Sequence, residues 1–138
     1  MDNLISPSTS SGNYPWQTTI SKQKSFNGIG LHSGNLINVT LKPAKENTGI
    51  VFIRTDIDKK IKERSIKALY SNVSDTSLCT TIENEYGIKV STIEHLMAAF
   101  NGTGIDNIII ELNGPEVPIM DGSSLPLIEI IENCGIES

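Results

Sequence analysis

The chain has 138 residues, which is enough for a single domain with its own hydrophobic core. Eleven basic and sixteen acidic residues give a formal net charge of −5, which disfavours nucleic acid and anionic membranes as partners because both need clustered positive charge. Two distant cysteines, Cys79 and Cys134, show no metal-binding or disulfide spacing. Neither a membrane-spanning run nor a signal-peptide pattern occurs, so we expect a cytoplasmic protein.

The first part of the chain predicts a flexible leader followed by a β-hairpin. Residues 1–16 are rich in Ser, Pro, Asn and Gly and have too little apolar surface for a stable fold, so we expect order to begin at residue 17. Residues 18–26 predict a strand that ends in a glycine-bounded turn, and residues 36–41 predict a second, alternating strand. The turn between them contains His32, which either points into a site or is an ordinary turn histidine bonded to the backbone.

The middle of the chain predicts further strands that lead to a helix. Residues 50–54 alternate as a strand, and residues 66–73 fit a strand or a helix equally well. Residues 78–82 and 88–90 predict a second hairpin, which places Cys79 near the start of the following helix. Cys79 is either a small buried hydrophobic residue or part of a site.

A helix is predicted from Ser91, which forms a capping box with Glu94, to a glycine at position 102 or 104. Apolar residues recur at spacings of three, four and seven, the stripe expected of a helix with one buried face: Ile93, Leu96, Met97 and Phe100. Glu94 and His95 lie off that stripe in the first turn. From these residues alone, Glu94 is a capping carboxylate and His95 an ordinary half-exposed histidine.

The last part of the chain predicts a strand and a second helix. Residues 108–112 are a dense apolar run, which predicts a strand buried on both faces and central in its sheet. Asp121 or Ser123 can cap a helix over residues 125–133, with Gly135 beyond its end. Together the elements predict an α+β fold: a two-layer sandwich of one mostly antiparallel sheet with two helices packed on one face.

Six short blocks follow the order of motifs in one known family. They are G-I-G-L-H-S-G at residues 28–34, K-P-A-K-E-N-T-G at 42–49, R-T-D at 54–56, D-T-S-L-C-T at 75–80, T-I-E-H-L-M-A-A-F-N-G-T-G-I-D-N at 92–107 and P-E-V-P-I-M-D-G-S at 115–123. With these blocks the chain resembles the UDP-3-O-acyl-N-acetylglucosamine deacetylases, the zinc amidohydrolases of lipid A biosynthesis in Gram-negative bacteria. The resemblance runs from about residue 17 to residue 134, and it implies the α+β fold of the first of that family's two domains.

The resemblance also implies the chemistry of a metal-dependent hydrolase. In that family two histidines and one aspartate hold a single zinc ion, and a glutamate beside the first histidine is the general base. By position, His95 matches the first zinc ligand and Glu94 the base, and the resemblance implies His32, Leu78 and Cys79 as substrate-binding residues. A histidine must be neutral to bind zinc, and a helix N-terminus disfavours its charged form, so the first turn suits a ligand.

The family's other two zinc ligands, an H-x-x-x-D pair in the second domain, have no counterpart here. The chain contains two histidines in all, and catalytic zinc takes three protein ligands, so the resemblance implies a Zn²⁺ site completed outside this chain. We therefore expect residues 17–138 to be the N-terminal domain of a two-domain deacetylase, inactive alone. Its partners would be the missing C-terminal domain and UDP-3-O-acyl-N-acetylglucosamine. The alternative is a non-catalytic binding or interaction domain that keeps the fold, although such a domain would have no chemical use for the Glu94–His95 pair.

Overall fold

The computed structural model describes residues 17–118 and 125–137, which form ten strands and two helices. The strands are β1 (Thr19–Ile20), β2 (Lys24–Ile29), β3 (Leu36–Pro43), β4 (Ile50–Arg54), β5 (Ser65–Lys67), β6 (Val73–Asp75), β7 (Thr81–Glu83), β8 (Lys89–Ser91), β9 (Ile108–Leu112) and β10 (Ile136–Glu137). The helices are α1 (Glu94–Thr103) and α2 (Leu125–Cys134). The predicted leader and the cap at Asp121 or Ser123 lie outside the described residues.

Strand β9 lies at the centre of a five-stranded sheet with the order β2-β3-β9-β4-β5. It pairs antiparallel with β3 and parallel with β4, so that Ile110 lies between Leu41 and Phe52. The remaining pairs of this sheet are antiparallel. The predicted central position of residues 108–112 is confirmed, since an isoleucine-rich run suits a strand with a neighbour on each side.

This sheet buries one of its faces. Alternate residues of its three inner strands point into the core: Ile37, Val39, Leu41, Ile50, Phe52, Ile108, Ile110 and Leu112. Ile109 and Glu111 alternate to the opposite face and are half-buried, and Glu111 there forms an ion pair of 3.0 Å with Lys42. The prediction that residues 108–112 are buried on both faces is therefore wrong.

Helices α1 and α2 pack against each other and complete the core on the buried face of the sheet. Their buried side chains include Leu96, Phe100, Leu127 and Ile131. Burial of one side chain of this size contributes about 1.5–3 kcal/mol, so these residues fix both helices to the sheet. The predicted α+β sandwich is confirmed. Within the described residues, neither helix is long and apolar enough to span a membrane.

Two smaller sheets correct the prediction of a single sheet. Strands β6, β7 and β8 form a three-stranded antiparallel sheet, and β1 pairs with β10. The ambiguous residues 66–73 contain the end of β5, a 3-10 turn and the first residue of β6. The strand predicted over residues 78–82 is shorter, because residues 76–80 form a loop and pairing with β8 begins at Thr81.

Candidate active site

Helix α1 begins at Glu94 rather than at Ser91. Ile93 precedes the first turn with φ −86° and ψ −9°, and no side chain caps the helix. Ser91 instead belongs to β8: its N–H donates to the Pro115 carbonyl at 2.8 Å, and its own carbonyl accepts from Val117 N–H at 3.0 Å. The predicted capping box is therefore wrong, because this pairing holds Ser91 in an extended strand.

Glu94 is bound to the loop that precedes β7. Its Oε1 accepts a hydrogen bond from Thr80 N–H at 3.2 Å, and the Thr80 carbonyl accepts from Ile93 N–H at 3.3 Å. The first bond orients the Glu94 carboxylate, and the second holds the loop against the start of α1. They also bring Cys79, the neighbour of Thr80, to the start of α1, which confirms its predicted placement. Glu94 Oε2 has no hydrogen bond within residues 17–118 and 125–137.

The junction between β8 and α1 is strained at Thr92. This residue has a φ of +61°, its side chain is buried, and its hydroxyl oxygen has no hydrogen-bond partner in the described part of the chain. A β-branched residue rarely adopts such a conformation, which costs about 1–3 kcal/mol. The strain accompanies the abrupt change from strand to helix that places Glu94 and His95 directly after β8.

His95 follows Glu94 in the first turn of α1 and is half-buried. Its Nδ1 is buried and has no hydrogen-bond partner among residues 17–118 and 125–137. A buried polar atom without a partner costs free energy, so the described residues do not satisfy this imidazole. Because successive residues on a helix are about 100° apart, the Glu94 and His95 side chains leave α1 in different directions.

An open cleft of about 280 Å³ lies beside β8, lined by His32, Ser33, Ser91, Pro115 and Glu116. His32 is exposed in the tight turn between β2 and β3, so the predicted hairpin is confirmed. Its first strand is not the single strand predicted over residues 18–26, which are divided between β1 (Thr19–Ile20) and the start of β2 (Lys24–Ile29). Ser91 lines the cleft three residues before Glu94. The cleft and the Glu94–His95 pair are thus joined by one short segment of chain.

Glu116 was not predicted from the sequence as part of the site. It is 2% exposed, its Oε1 accepts from His32 N–H at 3.0 Å, and its Oε2 accepts from Ser33 N–H at 2.7 Å. Burial is the largest single influence and raises the pKa of this carboxyl, but the hydrogen bonds from His32 and Ser33 together hold the pKa below its ordinary value. The sequence signal for Glu116 is its place between two prolines, Pro115 and Pro118, which restrict the backbone around it.

Leu78 and Cys79 lie in the loop between β6 and β7. Leu78 is 87% exposed, while Cys79 is half-buried and its Sγ lies 3.9 Å from the Thr81 hydroxyl. The loop reaches the start of α1 through the bond between Thr80 and Glu94. The structure thus brings Cys79, the neighbour of Thr80, to the start of α1, whereas the His32 turn is connected to the strand before α1 through Glu116.

Fold and site together place the chain in the class of α+β domains that carry a carboxylate and a histidine in the first turn of a helix packed on the core. The family model described as UDP-3-O-acyl N-acetylglycosamine deacetylase (LpxC) matches residues 17–138, and the chain belongs to this family. The resemblance of the six motif blocks is thereby confirmed.

Curated relatives carry the corresponding name. The UDP-3-O-acyl-N-acetylglucosamine deacetylase of Haemophilus influenzae (strain 86-028NP) is 48% identical over 121 residues, which cover 88% of this chain and 39% of that relative. The protein of the same name from Neisseria meningitidis serogroup C (strain 053442) is 50% identical over 120 residues, which cover 87% of this chain and 39% of that relative. The chain therefore spans less than half of the length of these relatives.

Proposed function

We propose that this chain supplies the N-terminal part of a zinc-dependent UDP-3-O-acyl-N-acetylglucosamine deacetylase, which hydrolyses the acetamide on the glucosamine nitrogen. One observation carries the proposal: Thr80 N–H orients the Glu94 carboxylate in the first turn of α1, one residue before His95. A fixed carboxylate next to a potential metal ligand suits hydrolysis of an amide.

Glu94 is the proposed general base. Thr80 N–H occupies Oε1, so Oε2 is the oxygen available to accept a proton from the attacking water. A general base must come within about 2.6–3.2 Å of the atom it deprotonates, and a side chain that is already oriented loses less freedom when the substrate binds. The bond to Thr80 therefore supports the role of Glu94.

His95 is the proposed zinc ligand of this chain. A bound zinc ion would polarise the substrate carbonyl and acidify a water molecule. The imidazole fits such a site as one ligand: its Nδ1 is buried and has no partner among the described residues, and a metal-binding histidine uses one ring nitrogen for the metal and the other for a further hydrogen bond. The described residues contain no group of three His, Cys, Asp or Glu side chains that could hold a metal. We therefore propose that the remaining ligands come from a second domain.

Three residues are proposed to bind substrate. His32 is exposed on the cleft, where it can donate to or accept from polar groups. Leu78 offers an almost fully exposed apolar side chain, which suits the acyl chain of the substrate, and Cys79 lies between it and Thr80. The two cysteines are unpaired, which agrees with the reducing cytoplasm that we propose as the location.

The test joins this chain to the remaining C-terminal part of the Neisseria meningitidis relative and measures deacetylation and zinc content. We expect activity from the fusion. Glu94→Gln should lower turnover by about 10²–10⁴-fold while zinc stays bound, because the variant removes the base and keeps the ligands. His95→Ala should lower zinc content and turnover together.

The matched control is Glu85→Gln, an exposed glutamate in the turn between β7 and β8, which should leave both quantities unchanged. Near-normal turnover of the Glu94→Gln fusion would show that Glu94 is not the base. A fusion that binds the substrate but never hydrolyses it would favour the alternative of a non-catalytic binding domain.

A further inference from the structure

Glu116 joins two parts of the site that are far apart in sequence. Its two carboxylate oxygens accept from the N–H groups of His32 and Ser33, 84 and 83 residues earlier in the chain. Both bonds are within the ordinary range of distances for N–H donors to oxygen. Two successive backbone donors of one turn thus enclose one buried carboxylate.

The turn is closed tightly around that carboxylate. Gly30 is buried, and a Cβ atom at Gly30 would lie 2.8 Å from Glu116 Cδ and 2.6 Å from Ser33 Oγ. These distances are shorter than real Cβ contacts, so no other residue type fits at position 30 without displacing its neighbours. The conformation of the His32 turn therefore depends on Glu116 as well as on its own sequence.

The backbone of Glu116 is fixed to the strand that leads into α1. Glu116 forms a parallel bridge with Ser91, and the residues on either side of it, Pro115 and Val117, make the hydrogen bonds of that bridge at 2.8 and 3.0 Å. Glu94 follows Ser91 by three residues. One residue therefore holds the His32 turn with its side chain and the start of the Glu94 helix with its backbone.

We propose that Glu116 is a positioning residue for His32: it holds the turn of residues 30–35 against β8, so that His32 faces the cleft at a fixed place relative to Glu94 and His95. This inference rests on the proposed function, in which His32 binds substrate. Both oxygens of Glu116 are engaged by the backbone, so Glu116 acts through His32 rather than on the substrate.

Two substitutions at position 116 test separately whether it needs two hydrogen-bond acceptors and whether it needs the full length of the glutamate side chain. Glu116→Gln keeps the size of the side chain but turns an NH₂ group towards one of the two N–H donors, so one hydrogen bond is lost. Glu116→Asp keeps the charge but is one methylene shorter, so it cannot reach both donors without movement of the backbone. Glu111→Gln is the matched control, because Glu111 lies half-buried on the outer face of β9, away from the cleft.

The first measurement uses the chain itself and its amide NMR spectrum. In Glu116→Gln and Glu116→Asp we expect the His32 and Ser33 amide signals to shift and their hydrogen exchange to accelerate, while signals of the core strand β4 stay in place. Glu111→Gln should leave the His32 and Ser33 signals unchanged. Unmoved His32 and Ser33 signals in both Glu116 variants, or unfolding of both variants, would overturn the proposal.

The second measurement uses the fusion with the C-terminal part of the relative. Glu116→Gln should raise KM by about tenfold, as expected for the loss of one hydrogen bond to a charged group, with kcat and zinc content nearly unchanged. In a His32→Ala background, Glu116→Gln should have little further effect on KM, because the two residues act as one unit.

An equal rise of KM in both backgrounds would show that Glu116 supports the fold and not His32, and would overturn the proposal. If the fusion has no deacetylase activity, the proposed function fails, and the amide signals alone then decide whether Glu116 holds the His32 turn.

Discussion

Thr80 determines which oxygen of Glu94 remains available. Thr80 N–H donates to Glu94 Oε1, and the Thr80 carbonyl accepts from Ile93 N–H. The two bonds hold the loop before β7 against the start of α1. A carboxylate on a free first turn would rotate among several conformers. Here the bond to Thr80 sets the orientation in the free chain, and such preorganisation would suit the base role proposed for Glu94.

The buried hydroxyl of Thr92 provides a first prediction. Because its oxygen has no partner in the described part of the chain, Thr92→Val should raise the free energy of unfolding by about 1 kcal/mol, since the shape is retained and an unsatisfied polar group is removed. Chemical denaturation of the two proteins measures the difference. A destabilised Thr92→Val protein would show that the hydroxyl has a partner in the folded chain.

A second prediction concerns acid stability and Glu116. Its pKa is lower in the fold than the ordinary value of 4.5, so its contribution to stability is complete above pH 4.5 and is lost as the pH falls through the folded pKa. Unfolding free energies between pH 6 and about pH 3 should therefore fall less steeply for Glu116→Gln than for the unsubstituted chain. Asp56 and Asp75 also have lowered pKa values, but both residues are present in the variant and in the unsubstituted chain, so their contributions cancel in the difference between the two curves. Parallel curves would contradict the prediction.

At this scale the sequence singled out Glu94 and His95 as candidates, but it did not indicate Glu116 or the hydrogen-bond partners of these side chains. Glu94 and His95 stand in one recognisable motif block. The bond from Glu94 to Thr80 spans 14 residues and that from Glu116 to His32 spans 84, so neither follows from local patterns. Ser91 illustrates the same limit: a good local cap is overridden by pairing with a distant segment.

At the scale of elements, substitutions in strand β9 test which face of the five-stranded sheet is buried in the core. Ile110→Ala should cost about 2–5 kcal/mol of unfolding free energy, because Ile110 is fully buried between the sheet and the helices. Ile109→Ala, its neighbour on the half-buried face, should cost clearly less. Equal losses in thermal or chemical unfolding would show that the outer face of the sheet is covered as well.

The elements themselves were largely predictable because their apolar patterns are strong. The alternation of residues 36–41 predicted β3, the isoleucine run of residues 108–112 predicted a central strand, β9, and the stripe from Ile93 to Phe100 predicted α1. The polarity of Glu111 within β9 was a sign that one face is not part of the core. The hairpin of β7 and β8 was predicted, but not that it forms a separate sheet with β6 or that β1 pairs with β10. The strands of these sheets have two or three residues each, too few for a periodic signal.

At the scale of the whole molecule, the incomplete ligand set leads to a prediction about metal. The chain alone should not retain stoichiometric zinc after dialysis against a mild chelator, because His95 is its single proposed ligand and catalytic zinc takes three. Elemental analysis before and after dialysis measures this. One zinc ion per chain surviving dialysis would reveal a metal site that the described residues do not contain.

The parallel pairing of β4 with β9 has a consequence for how the polypeptide acquires this structure. Both neighbours of β9, β3 and β4, precede it by more than fifty residues, so neither has its inner partner until residues 108–112 leave the ribosome. Contacts of such long sequence separation slow folding. Until then, two apolar strands expose unpaired edges of the kind that joins with other chains. We therefore expect nascent chains that end before β9 to depend on chaperones or to aggregate, and the domain to fold in one cooperative step only once α2, which follows β9 and completes the core, is also made.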